Sequence, residues 1–149
     1  MDSQAPTANS QAPKTEQTMK IDKVLLDSLT DKAKASERLR MNLDLRTSAE
    51  DSSQRMLNAL EPDTVLPIHR HRLSSETVVM VRGSLEEIFY NDNGEVTETI
   101  LLQAGGACPA LQIPAGQWHT VKVLEPGTVI FEAKDGAYAP LCEEDILNP

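Results

Sequence analysis

The chain contains three histidines in 149 residues, and two of them, His69 and His71, stand two positions apart in an extended apolar run that begins at Asp63. Successive side chains of a strand alternate faces, so residues i and i+2 share one face and both imidazoles can reach a single ion. Glu76 follows at an odd offset that would turn it away on an unbroken strand. Ser74 and Ser75 between them can bend the chain and bring it back. The third histidine, His119, closes the segment Pro114-Ala-Gly116-Gln-Trp-His119, where Pro and Gly two residues apart make a tight turn into a strand. Neutral imidazole and carboxylate together suit zinc, iron(II), manganese, nickel or copper, and the spacing does not choose among them. An isolated His-x-His pair is a weak signal, more often found as unrelated surface residues. It gains weight here because every histidine in the chain falls where one centre would need it. Four protein ligands, His69, His71, Glu76 and His119, would fill a tetrahedral zinc but leave two open positions on an octahedral iron or manganese. Such ligands must shed protons, so metal affinity is expected to fall as pH drops through the histidine range near ~6.5.

The flanking pattern supplies the elements that would hold these groups. Ile21, Val24, Leu25, Leu29 and Ala33 recur at helical spacing between Lys20 and about Ser36. From Glu37 to Leu45, Leu39, Met41, Leu43 and Leu45 alternate with Arg38, Arg40, Asn42 and Asp44, which is strand periodicity. Residues 54 to 60 fit a helix or a strand; as a strand, Arg55, Leu57 and Ala59 share one face. After Gly83, two strand-like runs are joined by Asn91-Asp92-Asn93-Gly94, a hairpin signal. His119, Val121 and Val123 alternate in a further strand, and Thr128 to Lys134 forms the last clear one. There Ile130, Glu132 and Lys134 share a face opposite Val129, Phe131 and Ala133. Glu132 and Lys134 are either lumen acid, base or anion-binding groups, or surface charges if Phe131 faces the core. Seven or more short strands after a single helix argue for an all-β sandwich or barrel.

At this point the residues resemble a family. His69-x-His71-x4-Glu76-x6-Gly83 and Pro114-x-Gly116-x2-His119 are similar to the two motifs of the cupin superfamily, which implies a β-barrel of the double-stranded β-helix or jelly-roll type with a metal inside. The first motif usually opens with Gly where this chain has Asp63; the second opens with Gly and closes on Asn where this chain has Cys108 and Val123. More narrowly, the segments at 38 to 45, 54 to 64, 67 to 71 and 131 to 138 resemble the WbuC-family cupin-fold metalloproteins, with Asp44 where those proteins often carry His. That resemblance implies an association with bacterial surface-polysaccharide biosynthesis. It makes a metal-dependent sugar or sugar-nucleotide isomerase or epimerase the leading expectation, with Glu132, Lys134 or Tyr138 moving protons and Arg40, Asn42 and Arg55 contacting substrate. Epimerases that use a free histidine base are disfavoured, because every histidine is assigned to the metal. A non-catalytic metal- or carbohydrate-binding module and an iron-dependent dioxygenase are the alternatives.

Composition bounds the rest. The chain suffices for one core, and its aromatic content of 3% leaves that core to aliphatic side chains. Residues 1 to 17 lack large apolar side chains after Met1 and are expected to be a mobile tail. Residues 18 to 48 form the helix and lead-in strand, and 49 to 149 the metal-binding barrel. The net charge of -9 opposes nucleic-acid binding. Arg70 and Arg72 alternate with the histidines and are expected outside the barrel as solvated charge. No apolar run spans a membrane, and the start of the chain lacks a signal-peptide pattern, so a cytoplasmic protein is expected. Cys108 and Cys142 do not make a disulfide framework; Cys108 is read as a buried structural thiol. A small-molecule ligand and a homodimer are the expected partners.

Overall fold

The computed structural model describes residues 17–148. The expected mobile tail therefore lies outside the described residues, except for Gln17. Ten strands follow one helix, α1 (Lys23–Ala35): β1 (Arg40–Asp44), β2 (Ser53–Leu60), β3 (Ile68–His69), β4 (Glu76–Arg82), β5 (Ser84–Tyr90), β6 (Val96–Gln103), β7 (Ala110–Ile113), β8 (Trp118–Val123), β9 (Thr128–Asp135) and β10 (Ile146–Leu147). They form two five-stranded sheets, ordered β1-β2-β9-β4-β7 and β10-β3-β8-β5-β6, with antiparallel pairing throughout.

Two apolar clusters result from strand alternation. Between the sheets, Leu60, Val78, Met80, Leu85, Phe89, Leu102, Ile113, Val123 and Ile130 fill one end of the barrel. On the outer face of the first sheet, Leu57, Ala59 and Val129 pack under Leu26, Leu29 and Ala33 of α1, flanked by Met41, Leu43 and Phe131. The ambiguous segment 54 to 60 is thus a strand, because its alternate residues serve both cores. Phe131 faces the helix while Ile130 faces the barrel, so the odd and even positions of β9 are both buried, against different partners.

The helix starts where the Asp22 carboxylate accepts from the Leu25 N–H at 3.1 Å, a cap worth ~1 kcal/mol, and ends with Lys32 and Lys34 in its last turn. Its buried stripe includes Leu26, which the sequence pattern left out, whereas Val24 is 75% exposed and Ile21 is also exposed. Arg82 fastens the helix to the barrel by donating to Asp27 at 2.7 Å, to Thr30 at 2.9 Å and to the Gly127 carbonyl at 2.8 Å. The hairpin joins β5 and β6, with Gly94 at φ 81 in its turn. Strand β7 was not foreseen; its four residues pair with the first half of β4.

Candidate metal centre

The end of the barrel opposite the aliphatic cluster is polar. His69 on β3 lies directly across from His119 on β8, and His71 follows β3 in extended chain, so alternation turns all three imidazoles inward. Their ring centroids are 5.1, 4.3 and 5.8 Å apart pairwise, and one nitrogen from each lies within 4.8 Å of the others, a group that could hold a metal ion. The Pro114 turn adjoins them: Gly116 takes φ 86 and donates its N–H to the His71 carbonyl at 2.8 Å.

Backbone carbonyls orient two of the rings. His69 Nδ1 lies 3.0 Å from the Pro67 oxygen and His119 Nδ1 lies 2.9 Å from the Gln117 oxygen, both two residues upstream. Each Nδ1–H donates to a carbonyl, which leaves Nε2 as a lone-pair donor aimed inward, the usual way a protein sets the tautomer of a ligating histidine. Glu76, the first residue of β4, is buried, and its Oε1 lies 3.5 Å from His71 Nε2 and 3.4 Å from His119 Nε2. Those contacts are too long for good hydrogen bonds, and Oε1 has no hydrogen-bond partner. A buried carboxylate oxygen without a partner, facing inward-pointing imidazole lone pairs, fits a cation.

Burial pushes His69 down to about 3 and His71 down to about 4, with neighbouring His119 adding to the first and the Lys134 charge to the second. His119 is raised instead: burial opposes its charging, but close contact with Glu76 outweighs that. Burial alone would raise Glu76, yet His119, Lys134 and Glu132 hold it well below the usual carboxylate range.

Glu132 and Lys134 face the lumen. In the register of β4 and β9, Glu76 lies opposite Lys134 and Val78 opposite Glu132, so both β9 side chains flank Glu76. Burial and the neighbouring Glu76 carboxylate push Glu132 up to about 8, so it is protonated at neutral pH and can donate to Glu76, while accepting from Asn58 Nδ2 at 3.2 Å. Asn58 was missed by the sequence reading, although it alternates with Leu60 on the lumen face of β2. Glu87 was missed too. It lies between Leu85 and Phe89 on the inward face of β5, only 2% exposed, its Oε1 without a partner, and burial raises it to about 8. A charged residue on an otherwise apolar strand face was the available signal.

A cavity of about 620 Å³ opens over His71 and Lys134. Of the other residues expected to meet substrate or move protons, Asn42, Arg55 and Tyr138 line it. Arg55 is tied to Asp51 at 3.0 Å, and the Tyr138 ring lies under Arg46 at 5.9 Å. Arg40 is not among the lining residues; its guanidinium donates to Thr64 and to the Val65 carbonyl. Arg70 and Arg72 are not simply solvated charge. Both line the cavity and hold the C-terminal segment through Asp145, at 3.1 and 2.7 Å, and Arg70 stacks on Trp118 at 4.4 Å. Cys108 and Cys142 are free; Cys108 is half-buried against the barrel core, outside the histidine group.

Comparison with known proteins places the fold. A family profile described as Domain of unknown function (DUF6016) matches residues 21–102, more than half of the chain. The chain belongs to this family. No curated protein sequence matches it. Among solved structures, KdgF from Halomonas sp. is similar at 15% identity and TM-score 0.53, over 66% of this chain and 80% of that one. The oxalate decarboxylase of Bacillus subtilis, a protein with Mn(II) centres, is similar at 17% identity and TM-score 0.53, over 73% of this chain but 27% of that one. Procruciferin, an 11S globulin from Brassica napus, reaches TM-score 0.57 at 14% identity, over 70% and 27%. These are cupin-fold proteins, and the chain has the cupin fold; it spans about a quarter of the two longer ones. Among the described residues no helix is long and apolar enough to cross a membrane.

Proposed function

We propose that this chain is a divalent-metal cupin whose ion is held by His69, His71, His119 and Glu76, and that it acts on a sugar or sugar nucleotide as an isomerase or epimerase. The observation that carries the metal reading is the group of three inward imidazoles, two of which, His71 and His119, face the partnerless Glu76 Oε1. The Mn(II) centres of a protein with the same fold lend it support. The sugar reading draws on the WbuC resemblance and its link to surface-polysaccharide biosynthesis.

A bound divalent ion would act as a Lewis acid on a substrate carbonyl or hydroxyl oxygen. The chain's own groups do the rest. Glu132, protonated and hydrogen-bonded to Asn58, holds a proton beside the centre. Lys134 supplies positive charge at the cavity floor, and Tyr138 offers a phenol at the rim. The aliphatic cluster behind the histidines keeps water from that side.

A binding module without turnover is the second reading, favoured by one observation: all three histidines of the chain sit in the cluster, so no imidazole is left to act as a base. Elemental analysis of protein purified without added metal, followed by assays on candidate sugars, separates the two. One equivalent of metal, lost on His119→Ala, is expected. Activity that disappears in Lys134→Gln or Tyr138→Phe while metal is retained marks an enzyme; activity indifferent to both changes removes their proposed roles. Absence of metal from reconstituted wild type would overturn the reading.

A further inference from the structure

The cavity over His71 is lined by five cationic side chains in a chain whose net charge is -9. Four of the five are engaged. Arg46 closes on Asp44 at 2.7 Å, Arg55 on Asp51 at 3.0 Å, Arg70 on Asp145 at 3.1 Å, and Arg72 on Glu144 and Asp145 at 2.7 Å each. Lys134 is different: among the described residues it makes no ion pair. It is half-buried, stands across from Glu76 in the strand register, and its charge is felt at His71, Glu76 and Glu132. Its side chain shares the lumen face of the sheet with Glu76 and lines the cavity beside His71.

Of the polar groups around the centre, His71 and Lys134 reach the cavity, whereas the carboxyls of Glu76, Glu87 and Glu132 are buried and do not line it. Of the lining carboxylates, Asp44 and Asp145 are held by Arg46, Arg70 and Arg72, and Asp135 is exposed. A half-buried ammonium without a partner is costly until an opposite charge arrives. Beyond the charged floor the wall turns apolar, through Met56, Leu73, Ala137 and Leu141, with Leu73 97% exposed. An uncharged carbon body suits that wall.

We propose that the cavity binds a small organic oxyanion, a carboxylate or a phosphate ester, with its negative group between the histidine centre and Lys134, and that Lys134 selects for that charge. This rests on the metal reading above for half of the attraction and on Lys134 alone for the other half. An ammonium that gives up most of its water to meet an oxyanion forms a charge-assisted hydrogen bond, about twice as strong as a neutral one.

The test titrates metal-reconstituted wild type, Lys134→Gln and Lys134→Arg with matched probes by calorimetry, with metal content measured on the same samples. Butyrate is set against butyramide, and glycerol phosphate against glycerol. The expected result is that one anion binds wild type at least about tenfold more tightly than its neutral partner, a difference of ~1.4 kcal/mol. Lys134→Gln should lose that tenfold preference with the neutral probe unchanged, and Lys134→Arg should keep most of it. Butyrate alone binding assigns a carboxylate; glycerol phosphate alone assigns a phosphate ester. Anion affinity unchanged in Lys134→Gln, equal affinity for neutral and charged probes, or no anion bound in the millimolar range would each overturn the proposal. Should wild type hold no metal, or Lys134→Gln lose its metal, the same titrations on the two metal-free proteins still decide the role of Lys134. Failure of the metal reading is thereby told apart from failure of this one.

Discussion

Replacing Glu87 by Gln isolates the cost of one buried carboxyl. Glu87 is 2% exposed, its Oε1 has no partner, and burial moves it from 4.5 to about 8. A carboxyl raised in this way binds its proton more tightly folded than unfolded, so stability is undiminished below pH 4.5 and falls as pH rises toward 8. Each pH unit in that window is worth ~1.4 kcal/mol, so between about pH 5 and about pH 8 the wild type should lose ~4 kcal/mol through this group alone. The Gln variant is nearly isosteric and cannot ionise. Any fixed difference in packing or hydrogen bonding between amide and acid is the same at both pH values, and the titrations of groups remote from Glu87 cancel, leaving its coupling to His119 and Glu76 as a smaller correction. The stability difference between variant and wild type should therefore shift by ~4 kcal/mol in favour of Gln over that range. Urea unfolding of metal-free protein, followed through buried Trp118, the single tryptophan of the chain, measures it. A difference that stays constant with pH would refute the claim that Glu87 is buried unpaired. Metal loading gives a second check, since a nearby cation favours the carboxylate and should flatten the dependence.

Other expectations follow from the same geometry. Gly83→Ala should cost about 3 kcal/mol or more in urea unfolding, because Gly83 sits at φ 84 and a Cβ there would lie 2.3 Å from Thr128 Oγ1 and 2.8 Å from its Cα. Asp63 takes φ 77 where the cupin motif usually has Gly, so Asp63→Gly should raise stability by about 1 kcal/mol, and a loss would show that the side chain does something else. Metal affinity should respond to fewer protons than three free histidines imply. His69 and His71 stay neutral down to about 3 and 4, whereas His119 is raised above 6.5, so proton competition near neutrality should come through His119 alone. Metal titrations between about pH 5 and pH 6 should release about one proton per ion from the imidazoles, and a release near three would contradict the burial argument. In the metal-free protein the depressed values of His69 and His71 cost stability as pH falls below 6.5 toward 4 and 3, so acid unfolding should start early and be delayed by metal.

Much of the site was legible without coordinates because it depends on strand alternation. The two-residue spacing of His69 and His71, and the Pro-Gly turn before His119, determine by themselves which face each imidazole takes. The hairpin at Asn91 to Gly94 is equally local, since a backbone at positive φ asks for residues that tolerate it. Other features required the fold. Whether Glu132 and Lys134 were site groups or surface charges depended on which side of β9 the barrel lay, and alternation cannot choose when both sides are covered. Helix α1 covers the Phe131 face, which left the charged pair to the lumen. Arg70 and Arg72 were expected as solvated charge outside the barrel, yet they line the cavity beside His71, where the returning C-terminal segment meets them through Asp145, 75 residues beyond Arg70, a contact that no local pattern encodes. Local periodicity thus decided which way each side chain points, and only the closing of two sheets decided what it meets, because the energy of a buried charge depends on neighbours brought together from remote parts of the chain.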